Sequence, residues 1–102
     1  MYYTYMLRCQ DNSIYTGITT NLERRMEEHF SKSEKCAKYT FTHSAKKLEA
    51  AWKSENRVLA SKLEYRIKQL ERKEKEALIN DNNTFEQLLS NKIEVSMYQR
   101  KI

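Results

Sequence analysis

Apolar and polar positions alternate with period 2 from Met1 to Cys9. Tyr3, Tyr5, Leu7 and Cys9 fall on one face, and Tyr2, Thr4, Met6 and Arg8 on the other, the pattern of a strand. Asp11-Asn12 is turn chemistry, because both side chains bond nearby backbone and Asn tolerates positive φ. Ser13 to Ile18 then reads as the second strand of a hairpin. A two-residue turn at Asp11-Asn12 pairs Cys9 with Ile14 and sends Tyr5 and Tyr15 to opposite faces. A three-residue loop or a bulge brings both tyrosines to one face.

The period then changes to that of helices. Thr20-Asn21-Leu22-Glu23 fits a capping box and opens a helix to about Phe30, with Leu22, Met26 and Phe30 as its apolar stripe and Arg25 and His29 along the border. Ser31 to Ala45 is a polar, lysine-rich connection. Leu48, Ala50 and Trp52 alternate with Glu49, Ala51 and Lys53 and predict a third strand. Ser54 or Asn56 caps the next helix, about Arg57 to Leu70, whose buried face is Ala60, Leu63, Ile67 and Leu70. Glu71 to Asn80 is a charged helical segment anchored by Ala77, Leu78 and Ile79, and Thr84 starts a short turn carrying Phe85, Leu88 and Leu89. In the tail Ile93, Val95 and Met97 alternate with polar residues, as an edge strand or a mobile end. The order is β-β-α-β-α-α.

Composition narrows the class. The 102 residues make one small domain near the lower size limit for a self-sufficient core, and 39% hydrophobic against 32% charged residues, with one Gly and no Pro, describes a folded chain rather than a disordered one. No apolar run approaches the roughly 18 to 20 residues of a membrane span, and the N-terminus carries no signal-peptide pattern. Cys9 and Cys36 lack metal-ligand spacing and read as reduced thiols in a cytoplasmic protein. A net charge of +5 favours a polyanionic partner.

Two positions stand out against the pattern. Gly17, the one glycine, ends a strand, where it permits close backbone approach or an unusual φ, or only bends the chain. Glu64 interrupts the apolar stripe of its helix, where a carboxylate is costly unless paired, protonated or metal-bound. The alternative for it is an i,i+4 pair with Lys68, worth roughly a few tenths of a kcal/mol.

Tyr3-Thr4-Tyr5, Tyr15-Thr16-Gly17, Asn21 to Arg25, His29 and Leu63 to Lys68, in that order and at those intervals, resemble the GIY-YIG nuclease superfamily and its small stand-alone bacterial members. Tyr5 stands for the tyrosine of GIY, Tyr15 and Gly17 for YIG, Arg25 for the helix arginine, His29 for the histidine or tyrosine one turn later, and Glu64 for the metal-binding glutamate. Lys35 to Thr40 is similar to a basic stretch of the stand-alone branch. The glycine and isoleucine of GIY are replaced, Thr16 takes the middle of YIG, and the family's later asparagine has no counterpart. The resemblance implies a three-stranded antiparallel sheet flanked by helices, with the nuclease domain over residues 1–81 and residues 82–102 as an extension of short helix and tail.

What the resemblance implies chemically is a metal-dependent endonuclease, DNA favoured over RNA and directed by nucleic-acid structure. Glu64 holds one Mg²⁺ or Mn²⁺, Arg25 clamps phosphoryl oxygens with its fork of donors, and Tyr15 takes the proton of the attacking water. Tyr5 orients the water or Tyr15, and His29 bonds a phosphate or relays a proton. An ordinary phenol, with pKa about 10, is only about 1% ionised at pH 8, so the site must favour the phenolate of Tyr15. Lys35, Lys38, Tyr39 and Lys68 are the expected nucleic-acid contacts, in a monomer or with a partner protein that supplies targeting. Two rivals stand beside this reading. A binding module without hydrolysis keeps the basic surface and uses Tyr39 and Phe41 for base stacking. A protein-interaction adaptor uses the charged helix and tail.

Overall fold

In a computed structural model describing residues 1–32 and 35–102, the hairpin is the organising unit. β1 (Tyr2–Cys9) and β2 (Ile14–Thr19) are antiparallel, with Tyr5 opposite Gly17 and Leu7 opposite Tyr15. The Cys9 N–H donates to the Ser13 carbonyl at 2.9 Å and the Asn12 N–H to the Cys9 carbonyl at 2.9 Å. Asn12 takes a left-handed φ of 70°. The loop is therefore the odd-length one, and both tyrosines share a face.

α1 (Leu22–Ser31) follows, capped by Asn21, whose side chain accepts from the Arg24 N–H. The cap lies one residue beyond the expected Thr20. The stripe is also redrawn: Phe30 is exposed, and His29 joins Met26 as a buried residue of the helix. A short helix, α2 (Lys38–Thr42), occupies the expected loop from Ser31 to Ala45, whose residues 33 and 34 lie outside the described residues. Five residues are too few to show a helical period, so α2 had no signal in the pattern.

β3 (Ala45–Ser54) pairs with β1 on the side opposite β2. Its register slips by one between Met6–Ala50 and Leu7–Leu48, leaving Glu49 as the extra residue. That bulge corrects the simple alternation: Ala50 and Trp52 point to one face, and Leu48 turns to the other with Ala51. α3 (Arg57–Gln69), capped by Asn56, α4 (Arg72–Asn80) and α5 (Asn83–Leu89) complete the helices. The tail forms a 3₁₀ turn at Val95–Met97, not an alternating strand there, because Ile93, Val95 and Tyr98 pack on the core. It ends in β4 (Gln99–Arg100), which pairs with Trp52 and Lys53. The sheet therefore has four strands, in order β2-β1-β3-β4, where three were expected. The fourth is two residues long, too short to show a pattern.

Each face of the sheet buries its own core. Met6, Ala50 and Trp52 pack against Leu63 and Ile67 of α3, Leu78 of α4, and Phe85 and Leu89 of α5. Tyr5, Leu7 and Ala51 pack against Met26 of α1 on the other face. Thr4 donates to the Ala60 carbonyl at 3.0 Å and fixes α3 to the central strand.

Candidate active site

The site grows out of the smaller core. The register places Tyr5 beside Tyr15, ring centroids 6.2 Å apart. Tyr5 lies directly over Gly17: a Cβ there would stand 2.6 Å from its Oη, 2.8 Å from its Cζ and 3.0 Å from Cε2 of Tyr15. Gly17 has no positive φ. Close approach, not an unusual backbone, is what the glycine provides, and it is Tyr5 that approaches.

His29 holds Tyr5 in place. Its Nε2 is 2.7 Å from the Tyr5 hydroxyl and its Nδ1 2.6 Å from Oγ1 of Thr40. Thr40 spends its own proton on the Ala37 carbonyl at 3.1 Å, so its oxygen accepts from Nδ1–H. Nε2 is then the unprotonated nitrogen, and Tyr5 donates to it. Burial, reinforced by the Arg25 charge, pushes the His29 pKa down to about 4 and keeps the ring neutral. His29 is fully buried with both nitrogens occupied. In this arrangement neither nitrogen is open to the phosphate oxygen expected of it, and the ring bridges Tyr5 and Thr40. Burial likewise pushes the Tyr5 hydroxyl well above the usual phenol range, although Arg25 opposes the shift, which favours the neutral hydroxyl that donates to Nε2.

Arg25 sits one turn before His29 on α1. Nη1 donates to Glu28 at 2.9 Å and to the Lys35 carbonyl. Burial disfavours its charge, but Glu28 and the neighbouring Tyr5 more than offset that and raise its pKa. Glu64, from α3, is near enough to Tyr5 to push that hydroxyl further up. Its side chain is 25% exposed, and Oε2 is 3.4 Å from Nζ of Lys68. Lys68 in turn lies 5.9 Å from the Tyr15 ring centroid. The i,i+4 pair thus exists, but it is looser than a direct hydrogen bond.

Among the described residues no cluster of three or more His, Cys, Asp or Glu could cage a metal ion. One partly exposed carboxylate fits a Mg²⁺-like ion that keeps most of its waters and takes phosphate oxygens from a substrate. Competition with Lys68 comes with that position.

Tyr15 also stacks on Tyr39 (5.5 Å, 25°), which stacks on His43 (4.2 Å, 15°). His43 pairs with Asp11 of the hairpin loop at 2.6 Å. Tyr39 is therefore engaged in holding Tyr15 rather than standing open for a base, while Phe41 is exposed. Lys35 and Lys38 are exposed on the same α2 side. Thr40, Glu28 and His43 were not expected at the site, and Asp11 was read only as turn chemistry. Glu28 reaches Arg25 within its own helix, but the parts of Thr40, Asp11 and His43 depend on contacts between distant segments, which no local pattern carries.

A sequence profile describing the GIY-YIG catalytic domain matches residues 1–77. Over 84 residues the chain is 44% identical to UPF0213 protein FN1575 of Fusobacterium nucleatum, covering 82% of each. It is 42% identical over 89 residues to UPF0213 protein YhbQ of Salmonella typhimurium, covering 87% of each. The solution NMR structure of UPF0213 protein BH0048 from Bacillus halodurans shares 41% identity, with a TM-score of 0.50 over 78% of this chain and 84% of that one. The architecture is a nuclease fold of the α+β class. The chain belongs to the GIY-YIG family, and its relatives are UPF0213 proteins, a small stand-alone branch.

Proposed function

We propose that this protein is a divalent-metal-dependent endonuclease that hydrolyses phosphodiester bonds, in DNA ahead of RNA, and reads nucleic-acid structure rather than a long sequence. The observation that carries it is the convergence of Tyr5, Tyr15, Arg25 and Glu64, from four separate elements, around a neutral, doubly bonded His29.

The reaction forms a bond from water oxygen to phosphorus and breaks the bond from phosphorus to the leaving 3′-oxygen. Tyr15, less buried than Tyr5, receives the water proton. Tyr5, held by His29 and Gly17, fixes the position of Tyr15 and of that water. The part of the Arg25 fork not used by Glu28 binds phosphoryl oxygens as charge develops on them. Glu64 would hold the Mg²⁺ or Mn²⁺, which when bound supplies Lewis-acid stabilisation of the leaving oxygen. Lys35, Lys38 and Lys68 hold flanking phosphates, in keeping with the +5 charge.

The test is cleavage of end-labelled single-stranded, duplex and branched DNA, and of RNA, with and without Mg²⁺ or Mn²⁺. Glu64→Ala and Arg25→Ala are each expected to lower the cutting rate about 10²-fold or more while both proteins still bind substrate. Cutting that survives both substitutions removes the assigned site. Binding without any cutting favours the rival reading, a non-hydrolysing module, for which the Glu64–Lys68 pair is the motivating contact.

A further inference from the structure

We propose that the cleft between α3 and the C-terminal segment is a second nucleic-acid contact, which grips the strand beyond the scissile phosphate. The proposal rests on the nuclease reading for the direction from which the strand arrives, and on its own residues for the grip.

The cleft holds about 590 Å³, with Lys62, Tyr65 and Arg66 of α3 on one wall and Lys92 and Ile93 on the other. The Tyr98 hydroxyl donates to the Leu59 carbonyl at 2.6 Å and ties the second wall to α3. A depression sharing Lys62 and Tyr65 continues along the helix to Arg57. The wall that carries Lys92 lies outside the 1–77 segment matched by the family profile.

Charge and aromatic character choose the occupant. Arg8, Arg24, Arg25, Lys68 and Arg72 all have carboxylate partners. No carboxylate among the described residues forms an ion pair with Lys62, Arg66 or Lys92, and Glu94 on the rim accepts from Ser96 at 3.1 Å. Three unneutralised cations around one cleft favour a polyanion. Tyr65 is 58% exposed, with the Arg66 guanidinium 5.4 Å from its ring centroid. An exposed ring beside cations is what bases stack on while phosphates are held. An acidic peptide uses the cations but not the ring.

Position supplies the link to the site. Tyr65 follows Glu64 on α3, and successive helical residues point about 100° apart while rising only about 1.5 Å. Glu64 faces Tyr15 through Lys68, and the next side chain opens on the cleft flank. A strand leaving the candidate active site across α3 meets the cleft within one helix width.

The experiment measures binding of labelled single-stranded DNA by the full-length protein in EDTA, by fluorescence anisotropy across a salt series. Oligonucleotides of about 4 and about 16 nucleotides bracket the site sizes of small single-strand binders. Lys62→Gln/Arg66→Gln/Lys92→Gln is expected to lower the slope of log affinity against log salt by about 2 on the long oligonucleotide only, at ~0.7 per lost phosphate contact. Tyr65→Ala is expected to weaken the long oligonucleotide about tenfold with the slope unchanged. Should the triple variant fail to fold, Lys92→Gln alone is expected to lower the slope by about 0.7.

An unchanged slope overturns the proposal. So does an equal fall in a control carrying Lys46→Gln, Lys47→Gln and Lys73→Gln, which lie outside the cleft, because net charge would then be the cause. Polyglutamate that competes with wild-type protein as well as the oligonucleotide does would make the occupant an acidic peptide and also overturns it. Cutting with Mg²⁺ is scored separately. A cleft-dependent slope without cutting sinks only the nuclease reading, and cutting with a cleft-independent slope sinks only the cleft.

Discussion

Gly17 shows how much of this site is decided by a missing side chain. With Tyr5 Oη 2.6 Å from where a Cβ would lie, and held by His29 at 2.7 Å, neither partner has room to yield. Gly17→Ala is expected to cost about 1–3 kcal/mol, the usual range for overpacking, and to loosen Tyr5 from His29. A thermal melt and a cleavage assay run together check this, and an unchanged melting temperature would refute the packing account. The tyrosine spacing and Gly17 were legible in the sequence. The burial of His29 was not, because a helical stripe through Leu22, Met26 and Phe30 looks complete without it. Only Thr40, reached across the next connection, supplies the second partner that makes a buried imidazole affordable.

At the scale of elements, the hairpin and α4 are joined by two arginines. Arg8 donates to Glu49 at 3.0 and 2.9 Å and to Glu76 at 2.7 and 2.6 Å, with its side chain 13% exposed. Arg72 binds Glu76 and the Asn12 carbonyl, adding α4 to the hairpin loop. The bulge that rotates Leu48 inward is also what brings Glu49 into this group. No strand pattern announces a bulge, since it replaces one alternation by another. Arg8, chiefly, holds the Glu76 carboxyl down to about pH 2 from an ordinary 4.5. A depressed carboxylate stabilises the fold above its unfolded pKa, and that contribution is lost as pH falls through the folded value. Arg8→Ala is therefore expected to destabilise by about 1–3 kcal/mol at pH 7, through lost hydrogen bonds to charged groups, while Arg72 stays paired with Glu76. The gap to wild type should be full above about pH 4.5 and close towards about pH 2, as urea melts across that range would show. A gap independent of pH would contradict the ion-pair origin.

Over the whole molecule, the tail is what the sequence described least well. Three alternating residues suggested an edge strand, but the 3₁₀ turn and the two-residue β4 follow from packing against Trp52 and Phe85. Arg100 crosses from β4 to the last turn of α4, donating to the carbonyls of Leu78 and Ile79 at 2.9 Å each, with its guanidinium 5.2 Å from the Trp52 ring centroid. Arg100→Ala is expected to lower stability by about 1–3 kcal/mol, the cost of stranding partly buried acceptors. Trp52 is the one tryptophan of the chain, so its emission should shift red if β4 detaches and stay unchanged if Arg100 is dispensable.

The division of the sheet into two cores has an evolutionary consequence. The larger is built from Met6, Trp52, Leu63, Phe85 and Leu89, and none of these is itself a residue of the candidate site. A lineage can drift there, exchanging one hydrophobic residue for another at small cost and regaining stability elsewhere. The smaller core has no such freedom, because Tyr5 is at once a packed residue and a working one. Descendants that abandon cleavage are therefore expected to diverge first beneath α1, while the opposite face still preserves the ancestral fold.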